Sequence, residues 1–91
     1  MTARRTDSNQ AEIVAALRHV GASVQDLHEV GKGCPDILVG YRGRNYLIEI
    51  KAPGGRLNKR EREWHDRWDG LVFTVWTIEG ALDIIQAAAY L

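Results

Sequence analysis

The 91-residue chain is 45% hydrophobic and 26% charged, which predicts one globular domain over 1–91, close to the size at which a single core becomes thin. Its one cysteine, Cys34, excludes an internal disulfide and any CxxC metal site. No apolar run approaches membrane length, and Met1-Thr2-Ala3-Arg4-Arg5 lacks the apolar segment of a signal peptide, so the expected compartment is the cytoplasm.

Residues 1–8 read as a flexible N-terminal segment, followed by a helix over 9–20 in which Ile13, Val14, Leu17 and Val20 recur at helical spacing and Gly21 is the stop. Asn9 and Glu12 fit a capping box at its start. Ser23 to Val30 is read as the first strand, although Val24, Leu27 and Val30 do not alternate cleanly. Asp26 and His28 fit a solvated edge pair, and no two histidines show a metal-binding spacing. Gly31-Lys32-Gly33 is a flexible turn.

Two apolar runs, Pro35-Asp36-Ile37-Leu38-Val39-Gly40-Tyr41 and Asn45-Tyr46-Leu47-Ile48-Glu49-Ile50-Lys51, joined by a short Arg42-Gly43-Arg44 link, predict a β-hairpin, whose register depends on whether the turn has two residues or three. A two-residue turn pairs Tyr41 with Arg44, Gly40 with Asn45, and so on down to Asp36 opposite Glu49. The two carboxylates then share one face with Cβ atoms about 5 Å apart. Lys51 points to that face about 7 Å further along. Facing like charges destabilise a sheet, and a divalent cation between them reverses the sign. The alternative is a solvated sheet face that binds nothing.

The spacing Pro35-Asp36 … Glu49-Ile50-Lys51 resembles the PD-(D/E)XK nuclease signature. With Gly31-Lys32-Gly33-Cys34 before it, and Lys51-Ala52-Pro53 and Leu57-Asn58-Lys59-Arg60-Glu61 after it, the chain is similar to the small, stand-alone, phage-type members of the VRR-NUC family. The resemblance implies a restriction-endonuclease-like core. In it Asp36, Glu49 and the Ile50 backbone carbonyl would hold Mg²⁺, with Mn²⁺ as substitute, and Lys51 would act on the attacking water and the phosphate. Many relatives carry a glutamate on the first helix, and Glu12 is the matching position. A glutamine is common where this chain has Glu61, so Glu61 either pairs with Lys51, sits near the metal or only caps a helix. The resemblance further implies a homodimer cutting branched DNA such as Holliday junctions, with 5′-phosphate and 3′-hydroxyl products, inside a host cytoplasm. A DNA-binding or assembly subunit that keeps the fold without catalysis is the alternative.

Beyond the hairpin, Ala52-Pro53-Gly54-Gly55 reads as a mobile loop, and Asn58 with Glu61 forms a capping box for a second helix. Leu57, Glu61, Trp64, Trp68 and Leu71 fall on one stripe, which assigns Trp64 and Trp68 to the core, with base stacking as the alternative. Leu71 to Trp76 is the last strand. Thr77 caps a final helix whose Ile78, Leu82, Ile85 and Ala89 share a face, and whose Ala87-Ala88-Ala89 end suits its own sheet or a second subunit. The element order is therefore α-β-β-β-α-β-α, a small mixed sheet flanked by helices. The net charge is zero, but residues 32–62 hold eight basic residues against three acidic ones, whereas 63–91 hold one against five. Within the basic stretch Lys32, Arg42, Arg56, Lys59 and Arg60 are the candidate phosphate contacts.

Overall fold

The computed structural model describes residues 5–87 as α1 (Arg5–His19), β1 (Ser23–Asp26), β2 (Ile37–Tyr41), β3 (Arg44–Ile50), α2 (Lys59–Arg67), β4 (Val72–Val75) and α3 (Ile78–Ala87). The expected α-β-β-β-α-β-α order is the observed one. The strands form one mixed sheet in the order β1-β2-β3-β4, antiparallel except for the parallel β3–β4 pair, whose connection carries α2.

Period-two alternation divides the sheet into two faces. Ile37 and Val39 of β2, Tyr46, Ile48 and Ile50 of β3, and Val75 of β4 form the core with Ile13 and Leu17 of α1 and Ala81 and Ile85 of α3. Ile37, Val39, Ile48, Ile13 and Leu17 are fully buried. The opposite face presents Leu38, Leu47, Glu49 and Lys51, and α2 runs beside it.

Several boundaries differ from those expected. The first helix begins at Arg5, one turn upstream of Asn9, so Asn9 does not cap it. The Asn9 amide instead donates to the Lys51 carbonyl at 3.0 Å, a tertiary use that overrides the local signal. The C-terminus is as expected: Ala22 N–H reaches Leu17 O and Gly21 N–H reaches Arg18 O, with Gly21 at φ +100°, a Schellman motif. The first strand stops at Asp26, because the Asp26 carboxylate accepts the His28 amide at 2.6 Å and turns the chain out of the ladder. Ala52–Gly55 is a closed turn rather than an open loop. Gly55 N–H reaches Ala52 O, Pro53 and a positive-φ Gly54 fill its centre as a type II turn demands, and the Trp76 indole donates to Gly55 O at 2.7 Å. Thr77 caps α3 through the Gly80 amide. Ala88 and Ala89 lie outside the described residues.

The largest departure concerns the tryptophan stripe. No residue of α2 is buried, and Trp68 and Leu71 are 46% and 45% exposed. The helix has the expected facing but stands over the rim of the sheet instead of closing onto it. It is tied to the Gly31–Cys34 turn at Gly33, whose φ is +87° and where a Cβ would lie 2.7 Å from Arg60 O. Replacing Gly33 by alanine is expected to destabilise the fold by about 2 kcal/mol through strain and this clash. Urea denaturation measures it.

Candidate active site

The hairpin turn sets the register. Arg42 and Gly43 both have positive φ, +51° and +81°, the type I′ turn of a two-residue hairpin. Tyr41 pairs with Arg44 and the ladder continues to Ile37 opposite Ile48. Carried one step further, the same register sets Asp36 opposite Glu49. Pairs alternate between hydrogen-bonded and non-hydrogen-bonded along such a ladder, and counting from the turn makes Asp36–Glu49 a non-hydrogen-bonded pair, the kind with the closest side chains.

The following step sets Pro35 opposite Ile50. Proline has no N–H, so the rung that would occupy the Ile50 carbonyl cannot form. The Ile50 amide donates instead to Asp36 Oδ2 at 2.7 Å, which orients that carboxylate. The Asp36 carbonyl accepts from Leu27 N–H at 2.8 Å, anchoring the residue from the β1 side. Proline thus ends the ladder and leaves a backbone oxygen beside two acids.

Glu49 is 3% exposed, and its Oε1 is buried without a hydrogen-bond partner. Oε2 lies 3.6 Å from Lys51 Nζ, which also contacts Glu61 Oε1 at 2.8 Å. Glu61 closes the expected capping box at the same time, accepting the Asn58 amide at 2.8 Å while Asn58 Oδ1 accepts the Glu61 amide. Two of the three roles open to Glu61 therefore coincide.

Burial, then the charges of Asp36 and Glu61, push Glu49 up to about 8, with Lys51 opposing. Burial also raises Asp36, against the Ile50 amide and the charge of Lys51. Burial alone lowers Lys51, but its contacts with Glu61 and Glu49 outweigh that and leave it above its ordinary value. Glu61 is lowered, because Lys51 and the Asn58 amide outweigh burial. Cys34 is raised by burial and by the charges of Glu49 and Asp36, which keeps it a thiol.

A hard divalent cation suits this donor set. Two carboxylates, one with an orphaned buried oxygen, and a carbonyl facing a proline are oxygen ligands of the kind Mg²⁺ takes, with its remaining positions left to water and substrate. Glu12 is exposed on α1, and among the described residues no group of three acidic, histidine or cysteine side chains gathers around an ion. Lys32, Arg56, Lys59 and Arg60 are exposed near the Lys51 end of the sheet. Arg42 sits over the Tyr41 ring at the hairpin tip, about 20 Å of strand from Asp36.

Two residues of the site escaped the sequence reading. Asn9, taken as a cap, ties α1 to the chain just past the end of β3. His65 lies one turn after Glu61 with a buried, unpartnered Nε2, and burial lowers its pKa against the pull of Glu61 and Asp66. Its i, i+4 spacing from Glu61 was the available signal.

A solved structure described as a VRR_NUC domain superposes on this chain with a TM-score of 0.73, at 23% identity, over 89% of this chain and 94% of that one. The chain has the VRR_NUC fold. No family model and no curated protein matches it. The match spans nearly all of both chains, so the VRR_NUC fold accounts for the sheet, its helices and the position of the β2–β3 hairpin together. It is a restriction-endonuclease-like α/β core.

Proposed function

We propose that this protein is a metal-dependent, structure-selective DNA endonuclease of the PD-(D/E)XK type, acting on branched DNA such as Holliday junctions as a homodimer in the host cytoplasm. The observation that carries the reading is the pair of facing carboxyls, a buried Glu49 and a half-buried Asp36, with Lys51 beside them at the end of a hairpin. Such a pair costs stability unless a cation lies between its members.

Asp36, Glu49 and the Ile50 carbonyl would hold Mg²⁺ or Mn²⁺, with the exposed Glu12 of α1 as the further candidate ligand. When bound, the ion supplies charge neutralisation at the phosphoryl oxygens and lowers the pKa of water. The Ile50 amide keeps Asp36 aimed inward, and Asn9 fixes the carbonyl of Lys51. Lys51 takes the proton of the attacking water or offsets charge on the phosphate, with Glu61 holding the amine in place between turns of the reaction. Attack on the phosphorus would leave 5′-phosphate and 3′-hydroxyl ends. Lys32, Arg56, Lys59 and Arg60 would grip the backbone near the cut, and Arg42 a more distant arm. No base-reading element is present among these residues, so selection rests on DNA shape. Two-fold symmetry would bring two sites to two strands.

The test is incubation with a four-way junction, a flap, linear duplex and single strand in Mg²⁺ or Mn²⁺. The expected result is cleavage of the branched substrates and none by the Lys51→Ala protein. Junction binding without cleavage under either metal would favour a non-catalytic DNA-binding subunit instead.

A further inference from the structure

Asp36, Glu49 and Lys51 share their sheet face with an apolar groove. Leu38 and Leu47 form its floor, two residues along their strands from Asp36 and Glu49, which puts it about 7 Å from the acids. Its walls are Cys34, Trp64, Trp68 and Leu71. The space amounts to about 480 Å³, within the range of small-ligand sites. The Trp64 and Trp68 rings stack on one another at 4.7 Å and 17°, yet Trp68 and Leu71 remain nearly half exposed. Trp68 is backed by Gly70, where a Cβ would lie 2.8 Å from the indole nitrogen. An aromatic pair held in place beside a leucine floor, of which Leu38 is half-buried and Leu47 buried, is a stacking platform with room left on it.

Charge around the groove is polarised. At the end next to the acid pair, Arg56, Lys59, Arg60 and Arg62 are exposed, and further along the chain Glu63 and Asp66 of α2 and Asp69 just past it follow, with Arg67 the one exposed base among them. A continuing phosphate backbone would meet that acidic end, so the polyanion belongs at the basic end and an uncharged flat group in the groove. A nucleotide has this distribution.

We infer that the groove between α2 and the outer face of β2–β3 receives one unpaired nucleobase, stacked on Trp64 and Trp68, from the strand whose phosphate lies at Asp36 and Glu49. This rests on the endonuclease reading and deepens it: the substrate must supply a base free to leave its stack beside the cut, as junctions and flaps do and intact duplex does not. Base–aromatic stacking of this kind tolerates any sequence.

The test uses flap and duplex oligonucleotides with 2-aminopurine placed in turn at each position around the branch, in Ca²⁺ to allow binding to be read without turnover. The expected result is quenching at one unpaired position. Trp68→Ala should weaken flap binding about 5- to 100-fold while leaving duplex binding unchanged. An abasic site at the quenched position should reproduce the loss in the wild type and add nothing to Trp68→Ala. Gly70→Ala, which displaces the indole without removing it, should give a smaller loss of the same kind. Equal loss on flap and duplex, with sedimentation showing that Trp68→Ala splits a dimer, would identify the groove as a subunit interface and overturn the inference. Cleavage in Mg²⁺ that ignores both Trp68 and the abasic site overturns it alone. Selective base binding with no cleavage overturns the endonuclease reading alone.

Discussion

Replacing Glu49 by glutamine is expected to make the metal-free protein more stable at alkaline pH while reducing cleavage on the order of 100- to 1000-fold. The folded protein holds the Glu49 proton up to about 8, above the ordinary carboxyl value of 4.5. Glu49 therefore contributes stability that is complete below about 4.5 and lost as pH rises through its folded value. Between pH 7 and 9 its ionisation matters most, and the Cys34 thiol, raised above 9.0, adds a smaller loss only at the top of that window. His65, held below its ordinary 6.5, contributes only on the acidic side of that window, and Lys51, raised above 10.5, keeps its charge throughout it. Wild type should thus melt several degrees lower at pH 9 than at pH 7 without divalent metal, and Glu49→Gln should not. Adding Mg²⁺ at pH 9 should restore the wild-type midpoint and leave the variant unmoved. Thermal denaturation followed by circular dichroism reads both. A Glu49→Gln protein as unstable at pH 9 as wild type would mean that the acid pair imposes no cost in need of a cation.

The hairpin was legible because its information is local. Arg42-Gly43 dictates the turn, the turn dictates the register, and the register dictates that Asp36 and Glu49 face each other; each step follows from neighbouring residues. The caps at Asn58 and Thr77 were legible for the same reason. Asn9 was misread because a polar side chain near a helix start satisfies a local motif and a distant carbonyl equally well, and only the packing of α1 beside the sheet selects the carbonyl. The tryptophans were misread in a more informative way. Period and facing were correct, but a stripe on a helix reports which side is apolar, not whether the helix closes onto the sheet. Here the close approach of Gly33 to Arg60 and the Glu61–Lys51 contact fix the N-terminal end of α2 over the acids, and the remaining helix leaves a gap above Leu38 and Leu47.

The role of Lys51 separates from its presence through Glu61. Lys51→Ala should lower cleavage about 100- to 10,000-fold, whether the amine acts as a base or as a cation, since either contribution is removed. Glu61→Gln distinguishes them. Glutamine serves the N3 position of a capping box as well as glutamate does, so α2 should keep its start and the site its geometry. What changes is charge: the carboxylate 2.8 Å from Nζ is one of the groups that hold Lys51 above 10.5, and its loss lets the amine shed its proton at lower pH. A base must be neutral before it acts, so the rising limb of the kcat/KM profile should move to lower pH in Glu61→Gln and activity at pH 8 should increase. An amine that works as a cation gains nothing from this, and its profile should keep its rising limb in place and fall earlier on the alkaline side. We expect the second result, because Lys51, held above its ordinary 10.5 by Glu61 and Glu49, is a cation at the pH of the reaction. Glu61 caps its helix and pairs with Lys51 through the same oxygen, so the arrangement that positions the amine also holds its proton. A glutamine in that place, as the resembled family commonly carries, would keep the position and release the proton more readily.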